Sequence, residues 1–362
     1  MAKPKNNILV IIIFILIFLV LGIFFFKAQK KENLPLADIT NATNHSCTSF
    51  NVGFKILSLN YTNSKNELKQ KTVAMWYPTD EAEKEYKYLM LKGSNAQNAK
   101  ISSCGKFPLI MFSHGYTGCG IQSIFLTEEL ARNGYIVIAP DHYDSLCSSM
   151  PGKGSSLEDF DLSQFNHPEE WSDKTYLDRK EDILFALDYA LAENSKQGSF
   201  FYNSVDKDSI GIMGHSLGGY TSLGLIGAWP SWQDNRFKAA LLLSPVIKPY
   251  LLHDNLKSID IPVMIQGGTL DSTITPSIPQ VYSQLSEPKY FLNIKFASHL
   301  AWANMGCAAA SSARNCLQSN ERVQAIDYYA ITFFDKYLKE DPSADNKLKQ
   351  KKDVLESYEF EM

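Results

Sequence analysis

The feature that most constrains the fold is a short glycine-rich stretch between an apolar strand and a helix. Residues 210–213 are Ile-Gly-Ile-Met, and the letters GHSLGG occupy residues 214–219. Glycines on both sides of a serine let the chain turn sharply from strand into helix, which leaves the serine hydroxyl projecting above the sheet. The stretch therefore predicts a nucleophile elbow, with Ser216 as the candidate nucleophile.

Segments with strand and helix patterns alternate on both sides of this elbow. Apolar runs typical of buried strands occupy residues 107–113, 135–139, 209–213, 239–244, 262–266 and 289–296. Helical spacing of apolar residues occurs at residues 121–133, 176–193, 217–228, 277–285 and 321–338. Such alternation predicts an α/β domain with a mostly parallel central sheet and helices on both faces.

This domain is predicted to span residues 49–340, with two further strands near its start, at residues 50–59 and 72–77. Residues 145–175 show no clear period, and a gap of that length is typical of a functional or a disordered loop, so the segment is a possible lid. The charged residues 341–362 are predicted to form a frayed tail. Because the chain contains no internal repeat, we expect a single large domain.

A catalytic serine needs a base to take its proton and an acid to orient that base. Folds with this elbow place first the acid and then the histidine after the serine. Asp271 follows the predicted strand at residues 262–266, and His299 follows the one at residues 289–296. Parallel strands of α/β sheets bind ligands at these ends, so Asp271 and His299 are predicted to complete a catalytic triad.

The other histidines and aspartates that follow the elbow have less suitable positions. His215 belongs to the elbow itself and is predicted to pack rather than to act as the base. His253 lies inside a long connection and is expected at the surface. Asp254 and Asp260 precede the strand at residues 262–266, which places them at the wrong end of the sheet.

Acyl transfer also needs two backbone N–H donors that bind the oxyanion. The residue after the nucleophile, Leu217, is predicted to supply one, and the loop after the strand at residues 107–113 the other. That loop contains His114, Gly115 and Tyr116. The glycine lets the backbone bend so that the Tyr116 N–H faces the elbow, and His114 is predicted to brace the loop.

Neither a cofactor nor a metal is predicted. The chain contains no P-loop, no dinucleotide-binding glycine pattern and no paired Cys-x-x-Cys motif. Asp-His-Tyr-Asp at residues 141–144 lacks the spacing of metal ligands and is predicted to be a loop. Lys and Arg number 35 against 39 Asp and Glu, and no basic block indicates nucleic acid as a partner.

These motifs resemble the dienelactone hydrolase-like branch of the α/β-hydrolases, and within it the platelet-activating factor acetylhydrolase-type lipases. The resemblance rests on the elbow and on residues 113–118, 268–271 and 298–299, and it covers about residues 105–340. Cutinase-like polyester hydrolases are also similar around residues 115–118. The resemblance implies an α/β-hydrolase fold and a serine nucleophile, whereas true dienelactone hydrolases use a cysteine.

The predicted function is hydrolysis of carboxylic esters through an acyl-enzyme, on phospholipid-type or short acyl esters. Four alternatives stay open at this point. A cutinase-like polyester hydrolase, an acyltransferase and an amidase would share the triad. A non-catalytic interaction protein would keep the fold without turnover.

The amino-terminal segment predicts the location of the protein. Residues 8–26 form a run of 19 apolar residues, counting Gly22, with lysines on both sides. As a helix this run would reach about 28 Å, close to the hydrocarbon thickness of a bilayer. Because no small-residue cleavage site follows, residues 1–30 are predicted to be an uncleaved membrane anchor and residues 31–48 a linker.

All six cysteines lie after this apolar run. An even number beyond an export signal is typical of an oxidising compartment, so the domain is expected outside the cytoplasm. Six cysteines allow 15 pairings. Cys307 and Cys316 enclose the shortest loop and are the favoured pair.

Overall fold

Eleven strands form the centre of the computed structural model, which describes residue 47, residues 49–146 and residues 162–362. The strands are β1 (Asn51–Thr62), β2 (Leu68–Thr79), β3 (Lys84–Lys87), β4 (Lys92–Gln97), β5 (Phe107–Ser113), β6 (Ile136–Pro140), β7 (Val205–His215), β8 (Phe237–Leu243), β9 (Val263–Gly268), β10 (Lys289–Ile294) and β11 (Leu355–Glu361). Within these ranges they form one sheet in the order β11-β10-β9-β8-β7-β5-β6-β2-β1-β4-β3. Strands β5 to β10 run parallel, and β2 and β11 flank them in antiparallel pairing.

Helices cover both faces of this sheet. They are α1 (Ile124–Arg132), α2 (Leu177–Ser195), α3 (Leu217–Leu223), α4 (Ile278–Tyr282), α5 (Ala313–Ser319), α6 (Glu321–Leu338) and α7 (Pro342–Leu348). Apolar residues of α1, α5, α6 and α7 belong to the core on one face, and those of α2, α3 and α4 to the core on the other. The predicted arrangement of a mostly parallel sheet with helices on both faces is confirmed.

The apolar runs of the sequence become central strands because both of their faces are buried. In β5, Ile110 and Phe112 point into one core, whereas Leu109 and Met111 point into the other. Side chains alternate between the two faces of a strand, so a strand that is covered on both sides is apolar throughout. This burial fixes the carboxyl ends of the parallel strands, from which the site residues extend.

The predicted frayed tail is wrong. Asp341 caps α7 by accepting a hydrogen bond from the Ser343 N–H at 2.8 Å, and β11 then pairs antiparallel with β10. Leu348 and Leu355 are buried. An edge strand needs apolar residues on one face only, so its charged residues concealed it in the sequence. The folded body therefore extends past residue 340 to residue 361.

A hairpin of β3 and β4 was also not predicted from the sequence. It continues the sheet beyond β1, with β4 pairing parallel to β1 and antiparallel to β3. Both strands are short and mostly polar, so they lack the apolar run that indicates a buried strand. Strands β1 and β2 were predicted, and each is longer than the predicted range.

The described part of the possible lid contacts the body through aromatic rings. Short 3₁₀ helices occupy Leu162–Asn166 and Pro168–Glu170. The buried Trp171 ring follows, at a centroid distance of 5.0 Å from Tyr220 of α3. Residues 147–161, the middle of the predicted lid, lie outside the described residues.

The predicted anchor, and the predicted linker apart from residue 47, also lie outside the described residues. Within the described ranges, no helix combines the length and apolarity needed to cross a bilayer. The predicted disulfide between Cys307 and Cys316 is confirmed, and a second joins Cys47 to Cys104. Cys119 is disulfide-bonded as well.

Candidate active site

The elbow places Ser216 between β7 and α3. Its backbone, with φ 56° and ψ −117°, has a conformation that residues other than glycine rarely adopt. The turn is tight on both sides. A Cβ atom on Gly214 would lie 2.1 Å from the Gly218 carbonyl oxygen, and one on Gly218 would lie 1.9 Å from the Ser113 carbonyl oxygen. Only glycine fits at these two positions, which explains the GHSLGG pattern.

The three residues of the predicted triad lie together. His299 Nε2 is 2.9 Å from Ser216 Oγ, and His299 Nδ1 is 2.7 Å from Asp271 Oδ2. Asp271 lies just after β9 and His299 just after β10, so the loops at adjacent strand ends bring them to the elbow. The Asp271 side chain is buried, whereas that of His299 is 33% exposed. The arrangement allows His299 to take a proton from Ser216 while Asp271 holds its Nδ1–H.

Ser244, which was not predicted from the sequence, adds a hydrogen bond to Asp271. It follows β8, donates its hydroxyl to Asp271, and lies 3.0 Å from His299 Nδ1. Burial alone would raise the pKa of the Asp271 carboxyl, but hydrogen bonds from His299 and Ser244 outweigh burial and lower it. Asp271 therefore stays ionised and can stabilise a positively charged His299.

His215 holds the loop that carries the base. Gln122 donates from Nε2 to His215 Nδ1 at 2.9 Å, and His215 Nε2–H donates to the His299 carbonyl oxygen at 2.9 Å. Burial and the neighbouring His299 lower the pKa of His215 to about 3, so it stays neutral and keeps this donor–acceptor arrangement. Gln122 Oε1 also accepts from the Gly115 N–H at 3.1 Å. His215 therefore positions His299 in addition to packing. Gln122 connects the base to the loop of His114, Gly115 and Tyr116, which we call the oxyanion loop.

The oxyanion loop is held through its carbonyl groups. The Gly115 carbonyl accepts from His114 Nδ1 at 2.7 Å, from the Gly118 N–H at 2.9 Å and from Arg179 Nη2 at 3.3 Å. The N–H of Tyr116 belongs to the same planar peptide unit, and in a trans peptide it points away from that carbonyl. Tyr116 also lines the pocket above Ser216.

Leu217 has the second predicted donor. As the first residue of α3 it has a backbone N–H without an intrahelical acceptor, and it directly follows Ser216. Tyr116 thus lines the pocket and Leu217 directly follows the serine, and both stay the predicted N–H donors.

A buried ion pair lies beneath this loop. Arg179 of α2 donates to the His114 carbonyl at 2.7 Å and to Asp144 Oδ2 at 2.6 Å. Burial on its own would raise the pKa of Asp144, but the Arg179 charge is the main cause that lowers it to about 2. Burial and the Arg179 charge lower the pKa of His114 to about 4. His114 is therefore neutral, and it braces the loop by donating from Nδ1.

His142 extends this support to the sheet. Its backbone N–H donates to His114 Nε2 at 2.9 Å, its Nδ1 lies 3.0 Å from Asp182, and its Nε2 lies 2.8 Å from the Ser113 hydroxyl. Burial, followed by the Arg179 charge, lowers its pKa well below the ordinary value. These contacts give His142 a structural role within the predicted loop at residues 141–144.

The alternative base and acids lie elsewhere. His253 packs against the Trp229 ring at a centroid distance of 4.6 Å and is half-buried, rather than fully at the surface as predicted. Asp254 and Asp260 are exposed. None of these three residues lines the pocket around Ser216.

The pocket above Ser216 has a volume of about 300 Å³. Its floor contains Ser216 and His299, one side is the oxyanion loop, and the rest is mostly apolar. A smaller cavity of about 100 Å³ lies where Phe165 and Trp171 meet Val246 and Ile274. A larger one, of about 950 Å³, opens near the amino ends of β5 and β7 and contains none of the predicted catalytic residues.

One group of potential metal ligands occurs in the described part of the chain. The ligand atoms of His167, Glu169 and Glu170 lie within 4.8 Å of one another, and all three residues are exposed. These residues are part of the described lid segment, and they are not among the residues around Ser216. The arrangement at Ser216 can perform nucleophilic chemistry with protein groups alone.

Comparison with known proteins identifies a family and several similar chains. A family model described as PET hydrolase-like matches residues 111–346. Cutinase est2 of Thermobifida alba is 28% identical over 196 residues, which are 53% of this chain and 52% of that protein. Platelet-activating factor acetylhydrolase of Bos taurus is 24% identical over 224 residues, 55% of this chain and 42% of that protein. The chain thus spans about half the length of the curated relatives it matches.

A solved structure shares the fold over most of its length. Ferulic acid esterase from Streptomyces cinnamoneus superposes with a TM-score of 0.62 at 18% identity, covering 88% of this chain and 98% of that one. The predicted α/β-hydrolase fold is confirmed, as is the resemblance to α/β-hydrolase esterases that include a platelet-activating factor acetylhydrolase and cutinases.

Proposed function

Because the chain belongs to the PET hydrolase-like family, we propose that it hydrolyses carboxylic esters with Ser216 as its nucleophile. The observation that carries this proposal is the continuous hydrogen-bond path from Asp271 through His299 to Ser216 Oγ. The path ends in a pocket with apolar walls, which suits an ester with hydrocarbon substituents.

The reaction follows from the positions of the donors. Ser216 Oγ attacks the ester carbonyl while His299 Nε2 takes its proton, and the Tyr116 and Leu217 N–H groups bind the oxyanion. The intermediate collapses when His299 returns the proton to the leaving alcohol. A water molecule then gives a proton to His299 and attacks the acyl-enzyme. His299 returns that proton to Ser216 Oγ as the bond to the acyl group breaks and the acid leaves.

Hydrolysis is favoured over acyl transfer to a second alcohol by the exposure of the base. The His299 side chain is 33% exposed, so water can reach Nε2 once the alcohol has left. Polyester hydrolysis is the second candidate, and the likeness to Thermobifida cutinases and the description of the matching family support it. Lipid esters are the third candidate, supported by the likeness to the bovine acetylhydrolase.

The proposal includes a location. The apolar run at residues 8–26 is proposed to anchor the protein in a membrane, with the catalytic domain outside the cytoplasm. The disulfides Cys47–Cys104 and Cys307–Cys316 support an oxidising compartment. Tethering would raise the local concentration of the enzyme near membrane-associated esters.

The test is the substitution Ser216→Ala, assayed on chromogenic esters of increasing acyl length and by labelling with a fluorophosphonate. We expect the rate to fall by roughly 10⁴-fold or more and labelling to disappear, because loss of the nucleophile leaves only the residual effect of the oxyanion donors and substrate binding. Full activity in the variant would move the nucleophile to another residue.

The matched control is Ser222→Ala. Ser222 lies in α3, the helix that follows Ser216, is also buried, and donates its hydroxyl to the Gly218 carbonyl at 2.9 Å rather than to His299. We expect this variant to keep both labelling and turnover. Equal thermal unfolding of the two variants by circular dichroism would separate loss of chemistry from loss of fold.

A further inference from the structure

Two exposed apolar side chains at the turn between β3 and β4 line the pocket above Ser216. Leu89 is 52% exposed and Met90 is 69% exposed, although both are large and hydrophobic. We propose that they are specificity-determining residues, which contact an aliphatic chain of the substrate beyond its scissile bond. This role rests on the proposed ester hydrolysis.

The turn is fixed by its buried neighbouring residues, so the two side chains are exposed in the folded protein. The neighbouring residues Tyr88 and Leu91 are buried, and the Tyr88 N–H donates to the Leu91 carbonyl at 3.1 Å. The Tyr88 hydroxyl accepts from Trp76 Nε1 at 3.0 Å and donates to Glu128 at 3.0 Å. Anchors on both sides of Leu89 and Met90 therefore present them in a fixed position.

Glu128 of α1 connects the hairpin to the main body. Its carboxylate accepts from the Ser94 N–H at 3.1 Å as well as from Tyr88, and Gly93 leaves room for it, because a Cβ there would lie 2.2 Å from Glu128 Oε1. Fixed walls lose little conformational freedom when a ligand binds, which favours affinity and selectivity.

Two further exposed apolar side chains that line the pocket come shortly after His299 in the chain. Leu300 and Met305 are 41% and 44% exposed and line the same pocket. Between them, Asn304 accepts from the Ile124 N–H at 2.9 Å and donates to the Ile121 carbonyl at 2.8 Å. Leu300 and Met305 thus add apolar lining to the pocket that contains Ser216 and His299.

The size and charge of the pocket indicate the ligand. Neither an acidic residue nor a lysine or arginine is among the described lining residues, so no ionic partner is available to a charged headgroup there. A volume of about 300 Å³ corresponds to roughly ten water-sized groups at ~30 Å³ each. An unbranched chain of moderate length suits both properties.

The hairpin lies outside the residues that the family model matches. The PET hydrolase-like match begins at residue 111, whereas β3 and β4 end at residue 97. Leu89 and Met90 therefore precede the residues that the family model matches, and their role is inferred from the contacts of this chain.

The experiment replaces both side chains, as Leu89→Ser with Met90→Ser, in the full chain. The acyl arm compares p-nitrophenyl acetate with p-nitrophenyl octanoate, and the alcohol arm compares ethyl acetate with octyl acetate. We expect kcat/KM to fall about tenfold for the eight-carbon ester of one arm, which identifies the bound chain, with the short esters unchanged within about twofold.

The matched control replaces Leu68 and Leu252 by serine, because both are exposed leucines that do not line the pocket. We expect this variant to keep the wild-type ratio of long to short esters. An unchanged ratio in the Leu89 and Met90 variant, with active wild-type protein, would overturn the selectivity role alone. Wild-type protein that turns over none of the four esters would overturn the proposed function and the selectivity with it.

Discussion

At the residue scale, Arg179 is the clearest case of a side chain that acts through another group. Its guanidinium is buried and holds the His114 carbonyl, the Gly115 carbonyl and Asp144 together. The Gly115 carbonyl shares its peptide plane with the Tyr116 N–H, so Arg179 restrains the orientation of this predicted donor. Arg179 is therefore a positioning residue for the oxyanion donor.

The substitution Arg179→Lys should reduce kcat by about 10- to 100-fold with little change in KM. Lysine keeps the charge opposite Asp144, but a point charge cannot replace the planar fork that reaches three acceptors. Loss of one oxyanion donor lowers rates by roughly 10²–10³. The affinity of a boronic acid transition-state analogue should fall by the same factor as kcat.

Arg236→Lys is the control for that measurement. Arg236 forms an ion pair with Asp234 at 2.6 Å, is partly exposed, and does not line the pocket around Ser216. We expect unchanged kcat and inhibitor affinity in this variant. If Arg179→Lys lowers thermal stability but leaves kcat and boronate affinity unchanged, its role is structural only.

The residues that could be predicted from the sequence are those with a local pattern. Ser216 has the elbow, and Asp271 and His299 each follow a recognisable strand. Ser244 and Gln122 have no such pattern, because their partners lie 27 and 93 residues away along the chain. Such contacts are formed only by the folded sheet, so local spacing cannot predict them.

At the element scale, strands that are buried on both faces were predictable, and edge strands were not. The central strands are continuous apolar runs, which tolerate no other interpretation in an α/β chain. The β3–β4 hairpin and β11 lie at opposite edges of the sheet and carry many charged residues. Their pairing depends on the neighbouring strand rather than on their own composition.

Deleting residues 355–362 should destabilise the domain by about 3 kcal/mol or more. The deletion removes the buried Leu355 side chain and the ring contacts of Tyr358 with Tyr329 and of Phe360 with Tyr290. Burial of one leucine contributes roughly 1.5–3 kcal/mol, and an aromatic pair roughly 0.5–1.5 kcal/mol. The free energy of unfolding in urea measures the loss.

Deleting Met362 alone is the matched control, since this residue is exposed and follows β11. We expect a change of less than about 0.5 kcal/mol, as for most surface substitutions. If the longer deletion leaves the urea midpoint unchanged, β11 adds nothing to the stability of the sheet despite its pairing with β10.

At the scale of the whole molecule, the catalytic geometry is contained in one compact unit that begins near residue 46. Every residue of the proposed mechanism lies between residues 116 and 299. Lysines at positions 1–31 number five, and the remaining chain has 30 basic against 39 acidic residues, a balance of −9. Attraction to anionic lipid is thus not expected to hold this body at a membrane, which leaves the predicted anchor as the means.

Deleting residues 1–45 should therefore move the protein from the membrane to the aqueous fraction and leave hydrolysis of p-nitrophenyl acetate unchanged within about twofold. The truncated chain keeps Cys47, whose disulfide to Cys104 joins it to the segment before β5. It also keeps Phe50, which packs against Phe107 at a centroid distance of 5.2 Å. Activity on esters presented in vesicles should fall, because tethering acts only through local concentration.

A deletion of residues 1–50 supplies the contrast, since it removes both Cys47 and Phe50. Loss of a disulfide typically lowers stability by roughly 2–5 kcal/mol, so this longer truncation should unfold at a lower temperature than the first one. Circular dichroism and the acetate assay on both variants show where the folded catalytic domain begins. Equal membrane association of the full chain and the 1–45 deletion would reject the anchor, and a folded but inactive 1–45 deletion would mean that the amino-terminal segment contributes to the active site.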